Sequence, residues 1–502
     1  MRSGSIRSAV AQTVAPPKAL EPIASAGPQL WARALSLDFT RPWPGLLLAV
    51  LFVVSRLPWV TLGFGSDPDA WRVAMSARYL LEHAAYLPSR LPGYPLHDIV
   101  TAALLWGGWT LTNISTVAIA LAGVFCFAML VKRLGLPAPG LLAVTFAFLP
   151  LLWFTSSETL DYSWALTFLL AAYLSLLHRR IALGGLLLGL ACGCRVTYLA
   201  FALPMTLLIW QDLHPRDVLR FLGLMLVTWF VLFAPVWIRY GLRFWNFYDF
   251  RPDWGDFLHA LTEGSIGLLP LVVLGICLLL SWRRVAQLPA ILRNEPQAAV
   301  WTMVALLALF IFVRLPLQTY YLMPAAPFAL LLLARLMRRG LLILACVALL
   351  LAGFVDVYTT SARGWLAPSA VLHIRPTAGL MLQDYELRRQ RLSLVRQVPD
   401  LPLPSGAVLT AGFYFPMVAE LYHDRLQLAL PDGYLEQVGP LTDTASASGP
   451  GGITYVWLLS QGDARGLLLD GREIYSLDFA RETNKPLEVR IYRLENERFG
   501  IH

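Results

Sequence analysis

Up to about residue 360 the chain is a series of long apolar runs separated by short polar breaks. Runs near the length a bilayer asks for, about 20 residues, lie near 45–63, 113–131, 140–155, 163–177, 181–195, 196–211, 218–238, 266–281, 299–313, 318–336 and 340–360. They predict eleven transmembrane helices. A twelfth stretch, "HDIVTAALLWGGWTLT" at 97–112, is shorter and carries a Gly-Gly pair. It predicts a re-entrant or interfacial helix, not a span. After 360 the pattern turns polar. "AVLTAGFYF", "ITYVWLL" and "LEVRIYRL" are β-rich or alternating, between the turn signals "PDG", "SASGPGG" and "LDGREI". The expected fold is therefore a polytopic α-helical membrane protein of about eleven spans with a small C-terminal soluble domain, α/β or mostly β. Residues 1–44 read as a cytoplasmic tail, 45–360 as the membrane module with a first outer loop at 64–112, and 361–502 as the soluble domain. No cleavable signal peptide is expected, because the first apolar run comes too late.

Composition supports the membrane reading: 57% of residues are hydrophobic and only 14% charged, and the mean hydropathy is +0.59. The net charge of +8 does not indicate nucleic-acid binding, since no basic stripe interleaved with aromatics is present. With the N-terminus inside, the tail and inner loops hold 17 Lys and Arg, against eight in the outer loops. That is the sense of the positive-inside rule, and counting 97–112 as a span would reverse it for "HRR" and "RLMRR". The resulting orientation is N-in, with the soluble domain outside, periplasmic in a bacterial inner membrane. The five cysteines all lie in apolar runs. Neither a disulfide framework nor a zinc site is expected.

This topology gathers rare charges on the outer face. Asp67, Asp69, Arg72 and Arg90 lie in the first outer loop, and Glu158 and Asp161 in the second, "SSETLDYSW". Arg195 ends the fifth span and Arg314 the ninth, while Arg239, Arg243 and Arg251 lie in a Trp/Tyr-rich loop. Charge at membrane depth is costly and points to function. The 239–254 cluster fits interfacial anchoring. For Arg195 and Arg314, anchoring and function both stay open.

In the first loop "GSDPDAW" leads into the amphipathic "RVAMSARYLLEHAAY" and the turn "RLPGYPL". Here the sequence resembles the GT-C superfamily of membrane glycosyltransferases, which includes protein O-mannosyltransferases, aminoarabinose transferases of lipid A and the catalytic subunit of oligosaccharyltransferase. "DPDAWRVAMSARYL" is similar to the first loop of the last of these, and "RLPGYPL" is closer to the mannosyltransferase-like branch. "LGGLLLGLACGCRVTYL" at 183–199 and "RLPLQTYYLMPAAPFALLL" at 314–332 resemble that branch's Gly-rich fifth span and its Tyr-Leu-x-Pro-Ala-x-Pro segment. The resemblance covers about residues 45–340. There is no Trp-Trp-Asp motif, which sets the oligosaccharyltransferase subclass aside.

The resemblance implies a sugar donor on a polyprenyl phosphate, a periplasmic glycan, lipid or protein acceptor, and inverting transfer. It points to Asp67 as the base that deprotonates the acceptor. Asp69 either shares the site, raising one carboxyl's pKa by repulsion, or N-caps the helix at 70–84. The cap is the reading taken for Asp69. Arg195 and Arg314, with Arg90 third, are the expected donor-phosphate ligands. Glu158 and Asp161 are expected to orient acceptor or sugar, with helix capping the alternative for Asp161. Tyr320, Tyr321 and His97 are expected to line the pocket. No cofactor is expected, although Asp67, Asp69 and Glu158 would offer hard oxygen ligands to Mg²⁺ or Mn²⁺. The competing readings are a lipid or glycan transporter, against which no internal repeat is visible, and a non-catalytic membrane scaffold.

Overall fold

The computed structural model describes residues 36–212, 215–241, 257, 260–261, 264–314, 319–360, 371–400, 405–411, 414–429, 445–449, 452–457, 474–479, 489–495 and 498–501. Arg243 and Arg251 lie outside them. Each of the eleven apolar runs carries a helix. In chain order the helices are α1 Pro42–Val60, α2 Pro68–His83, α3 Pro95–Leu104, α4 Gly108–Arg133, α5 Pro139–Ala147, α6 Pro150–Ser156, α7 Tyr162–Leu177 and α8 Ile181–Cys194. They continue as α9 Ala202–Asp212, α10 Pro215–Leu232, α11 Ala234–Tyr240, α12 Leu268–Leu280, α13 Pro296–Arg314, α14 Ala325–Leu336 and α15 Arg339–Leu351.

Among the described residues, α1, the continuous stretch Pro95–Arg133 and α13 are long and apolar enough to cross a bilayer. The bent pairs α5–α6 and α10–α11, turning by 51° and 59°, bring this to five, and six further apolar helices have 10–17 residues. At 1.5 Å per residue a 14-residue helix reaches only about 21 Å. Eleven helical segments are thus present, but helix length alone gives five crossings. α1 shows the expected two faces: Leu46, Leu47, Val50, Leu51 and Val54 are exposed while Leu48, Phe52 and Arg56 are buried. α3 has ten residues, too few to span alone, and one 3-10 turn joins it to α4, which starts five residues before the expected 113.

Proline explains the bends. Pro150 and Pro235 cannot donate into the helix before them, so each opens a break. At the first break the Ala147 carbonyl accepts from Arg56 Nη2 at 2.5 Å. The Arg56 guanidinium stacks on Phe52 and Trp153, with its carbon 3.7 and 4.1 Å from the ring centres. Oxygen acceptors and aromatic faces therefore satisfy this buried cation.

The Gly-rich run of α8 forms a helix contact. α8 packs against α7 and α10, and glycine lets the α10 backbone come close. A Cβ on Gly185 would sit 2.5 Å from the Phe221 carbonyl oxygen, and one on Gly189 would sit 2.8 Å from that of Met225. Small residues four apart on one face are a known means of close helix approach in membranes.

The last run corrects an expectation. The helix stops at Leu351, and Val355–Thr360 is strand β1, antiparallel to β2, Val371–Pro376. The segment reads Val-Asp-Val-Tyr-Thr-Thr, and its β-branched and aromatic residues suit extended structure. Beyond lie α16, Leu380–Gln397, and α17, Phe415–Leu421. The strands β3 Val408–Thr410, β4 Gln427–Ala429, β5 Ala445–Ser448, β6 Thr454–Trp457, β7 Ile474–Phe479, β8 Val489–Glu495 and β9 Arg498–Ile501 form one sheet. Its order is β4-β5-β6-β3-β7-β8-β9, with β3 parallel to β6 and β7 and the other pairs antiparallel. Of the two expected forms this is the α/β one. α16 packs on α6 and α17 on α2, so the domain sits against the segments that flank Asp67 and Glu158.

A substitution pair tests the glycine contact. Gly185→Ala should lower the melting temperature in detergent by several degrees, since overpacking costs roughly 1–3 kcal/mol. Gly223→Ala, where a new Cβ meets nothing within 4 Å, should leave it unchanged or raise it. Equal losses in both would remove the close-approach explanation.

Candidate active site

The loop after α1 turns into α2 at Asp67. Its backbone is extended, Pro68 follows as the first helical residue, and Asp67 Oδ1 accepts from the Asp69 amide at 2.9 Å. Asp67 is therefore the N-cap of α2. This corrects the assignment of the cap to Asp69. Proline at the first helical position fixes the register, and the cap falls on the residue before it. Capping engages one oxygen of Asp67. Burial, and then repulsion from Asp69, push the Asp67 carboxyl up to about 7.

Asp69, within the first turn of α2, faces Arg90, with Oδ2 3.2 Å from Nε, and Arg72 at 4.0 Å. Arg90 also reaches Asp161: Nη2 donates to Oδ1 at 2.8 Å. Arg195 Nη1 donates to the other Asp161 oxygen at 2.5 Å. Asp161 occupies the N-cap position of α7 but makes no side-chain cap bond, so the capping alternative fails. Burial alone would raise the Asp161 carboxyl, but Arg195 and Arg90 hold it below the usual range. Arg195 also lies over Tyr162, 3.7 Å from the ring centre, and near Tyr321 at 4.8 Å. Arg90 lies over Tyr94 at 4.1 Å. Arg72, Arg90 and Arg195 thus stand with Asp69 and Asp161, and the Arg90 charge also acts on the buried Asp67 and Asp98 carboxyls. Arg90 Nη1 and His97 Nδ1 are buried with no hydrogen-bond partner among the described residues.

Glu158 belongs to a second, adjoining group. Its Oε1 accepts from the Ser66 amide at 3.0 Å and the Ser66 hydroxyl at 2.7 Å. Arg388 Nη2 lies 2.9 Å from the same oxygen. Burial raises the Glu158 carboxyl, and Arg388 offsets part of that shift. The two loops are further joined through Thr159, whose amide donates to the Phe64 carbonyl at 2.8 Å and whose hydroxyl donates to Asn113 Oδ1 at 2.8 Å.

The structure thus gathers Asp67, Asp69, Arg90, Glu158, Asp161 and Arg195. His97 is buried edge-on to Trp164, with ring centres 5.7 Å apart. Tyr320 and Tyr321 pack edge-on against Tyr162. Arg314 does not join the cluster. It is exposed at the end of α13 and makes no ion pair among the described residues. Arg239 is likewise exposed. The Asp67, Asp69 and Glu158 metal set is not assembled: Asp69 faces arginines, Glu158 faces Ser66 and Arg388, and no group of three or more His, Cys, Asp or Glu is placed to hold an ion among the described residues.

The sequence reading missed Arg388, Asp384 and Arg391. They come from α16, in a stretch, "QDYELRRQR", that reads as a solvated charge run. The one available signal was the i,i+4 spacing of Asp384 and Arg388, which pair at 2.9 Å.

Comparison with known proteins gives a limited likeness. No protein-family model and no curated protein matches the chain. Among solved structures, ArnT from Cupriavidus metallidurans bound to undecaprenyl phosphate aligns with a TM-score of 0.39 and 20% identity. The match covers 60% of this chain and 59% of that one. The apo form of ArnT aligns at 0.37 with the same identity and coverage. The aligned part is less than two thirds of ArnT.

Asp161→Asn should destabilise the fold strongly, on the order of 3–5 kcal/mol for a broken buried ion pair, because it strands two buried guanidinium groups. Thermal melts in detergent check this. A loss under about 1 kcal/mol, the range of a solvated pair, would mean that water, not Asp161, compensates the arginines.

Proposed function

We propose that the chain is an integral membrane glycosyltransferase. It moves a sugar from a polyprenyl-phosphate donor to a glycan, lipid or protein acceptor outside the bacterial inner membrane, with inversion at the anomeric carbon. One observation carries the reading. A carboxyl held up to about 7 by burial and by Asp69 adjoins the buried arginines Arg90 and Arg195, and Arg90 keeps an unmet donor, Nη1.

In this mechanism Asp67 takes the proton from the acceptor hydroxyl or amine while the acceptor attacks the anomeric carbon. A base whose pKa lies near the working pH is suited to that transfer. The bond to the lipid phosphate breaks on the opposite face of the sugar, and one carboxylate suffices for inversion. Arg90 and Arg195 receive the leaving phosphate. Guanidinium groups keep their charge in a low-dielectric site and offer planar pairs of donors to phosphate oxygens. The buried Arg90 Nη1 needs an acceptor, and a phosphate oxygen would supply one. Tyr320, Tyr321 and His97 line the sugar side. The spans hold the donor lipid in the bilayer, and the C-terminal domain faces the acceptor.

The test is turnover of polyprenyl-phosphate sugars by purified protein in liposomes, slow hydrolysis included. Asp67→Asn keeps a good N-cap, so α2 should fold, while general-base loss should cost roughly 10²–10⁴-fold in rate with donor binding retained. The base must be ionised and its pKa is raised, so the wild-type rate should fall as pH drops below about 7 and level off above it. Glu158→Gln removes a neighbouring negative charge that helps raise Asp67, so it should move that acid limb to lower pH. Full turnover in Asp67→Asn, or an acid limb that Glu158→Gln moves upward, would take the base role away from Asp67.

A further inference from the structure

We propose that helix α16 of the C-terminal domain is a working part of the site just described, with Arg388 as its positioning residue: from outside the membrane module it fixes the two loops that carry Glu158 and Asp67. The inference rests on the glycosyltransferase reading for its rate readout, but not for its geometry.

Arg388 is fully buried, and a buried guanidinium is tolerated only when its charge is compensated. Its partners are specific. Nη1 donates to the Ser157 carbonyl at 2.9 Å and Nη2 to the Phe154 carbonyl at 3.3 Å. The charge is balanced by Glu158, 2.9 Å from Nη2, and by Asp384, 2.9 Å from Nε in an ion pair that lacks hydrogen-bond geometry. Phe154 lies in the last turn of α6 and Ser157 just past it, at the helix end whose carbonyls attract cations; the Phe154 carbonyl also accepts from the Ser157 amide. Arg388 therefore closes the end of α6 and neutralises Glu158 in one move. Three residues on, one turn along the same helix, Arg391 Nη1 donates to the Ser66 carbonyl. Ser66 is thereby held from both sides: its amide and hydroxyl donate to Glu158, and its carbonyl accepts from α16. Asp67 is the next residue. Its backbone is anchored by contacts that arise outside its own loop, over 300 residues away in sequence.

The bland alternative is that Arg388 merely staples one domain to another. A second staple allows a control. Arg78 of α2 and Glu420 of α17 pair at 2.5 Å, and Arg78 lies three turns along α2 from Asp67. Breaking either pair loosens the domain; only breaking the first should disturb Ser66 and Asp67.

The experiment compares full-length wild type, Arg388→Met, Arg388→Met with Glu158→Gln, and Arg78→Met in liposomes. Donor turnover and hydrogen–deuterium exchange over residues 64–72 are both measured. Arg388→Met should lower kcat on the order of 10- to 100-fold, as misplacement of a reacting group does, with little change in KM, and should raise exchange at 64–72. The double variant should recover part of the kcat loss, because a glutamine at 158 still accepts from Ser66 and no buried charge is stranded. Arg78→Met should leave kcat and exchange at 64–72 near wild type. Equal effects of Arg388→Met and Arg78→Met, or no change at 64–72, would reduce Arg388 to a staple and overturn the inference. Wild-type inactivity with every donor would defeat the glycosyltransferase reading instead. Exchange at 64–72 would then decide the inference alone, for it if only the Arg388 variants loosen the loop, against it otherwise.

Discussion

Asp161 holds two guanidinium groups at once, one from the loop between α2 and α3 and one from the end of α8. In a buried, low-dielectric setting none of the three charges is tolerable alone. The loop from α2 to α3, the turn into α7 and the exit of α8 are therefore tied to one another at a single carboxylate. Asp69 extends the tie through Arg90 to the start of α2, and Tyr94, Tyr162 and Tyr321 add aromatic faces around the cations. The position of Asp67, the cap of α2, follows from that arrangement.

The membrane module and the site solve the burial of charge differently. Arg56 lies within α1 and has carbonyl, hydroxyl and aromatic partners, so no second charge is buried with it. In the candidate site the arginines are matched by carboxylates, and one donor is left over: Arg90 Nη1 is buried without a hydrogen-bond partner among the described residues. The spare donor matters chemically, because a buried N–H needs an acceptor. The acids on the other side, Asp67 and Glu158, have their pKa values raised first of all by burial.

Much of this was legible in the chain. Hydrophobic run length placed a helix at each of eleven positions, because burial of apolar side chains is a local compositional signal. Charges at run ends located Asp67, Asp69, Arg90, Glu158, Asp161 and Arg195, because such residues are rare where they are costly. Pairings were not legible. The cap went to Asp69 because its preference for the helix start was weighed without the register set by Pro68. Arg314 looked like Arg195, and only three-dimensional packing separates a buried run end from an exposed one. Val355–Thr360 lay inside an apolar run whose β-branched residues were weaker evidence than its length. Arg388 was invisible because its burial comes from a surface more than 200 residues away, and nothing around it is apolar enough to announce that.

The distance between Arg388 and the loop it secures also has a meaning in time. The chain is synthesised from its N-terminus, and 231 residues separate Arg388 from Ser157. At roughly 5–20 residues per second, a ribosome needs about 10–50 seconds to cover that gap. During that interval the chain makes Asp161, Arg195 and Tyr321, while the end of α6 lacks its cation and Glu158 lacks its counter-charge. The site is therefore completed late, after α16 has reached the same side of the membrane as the loops. A nascent chain stopped before α16 holds the two loops without the arginines that lock them.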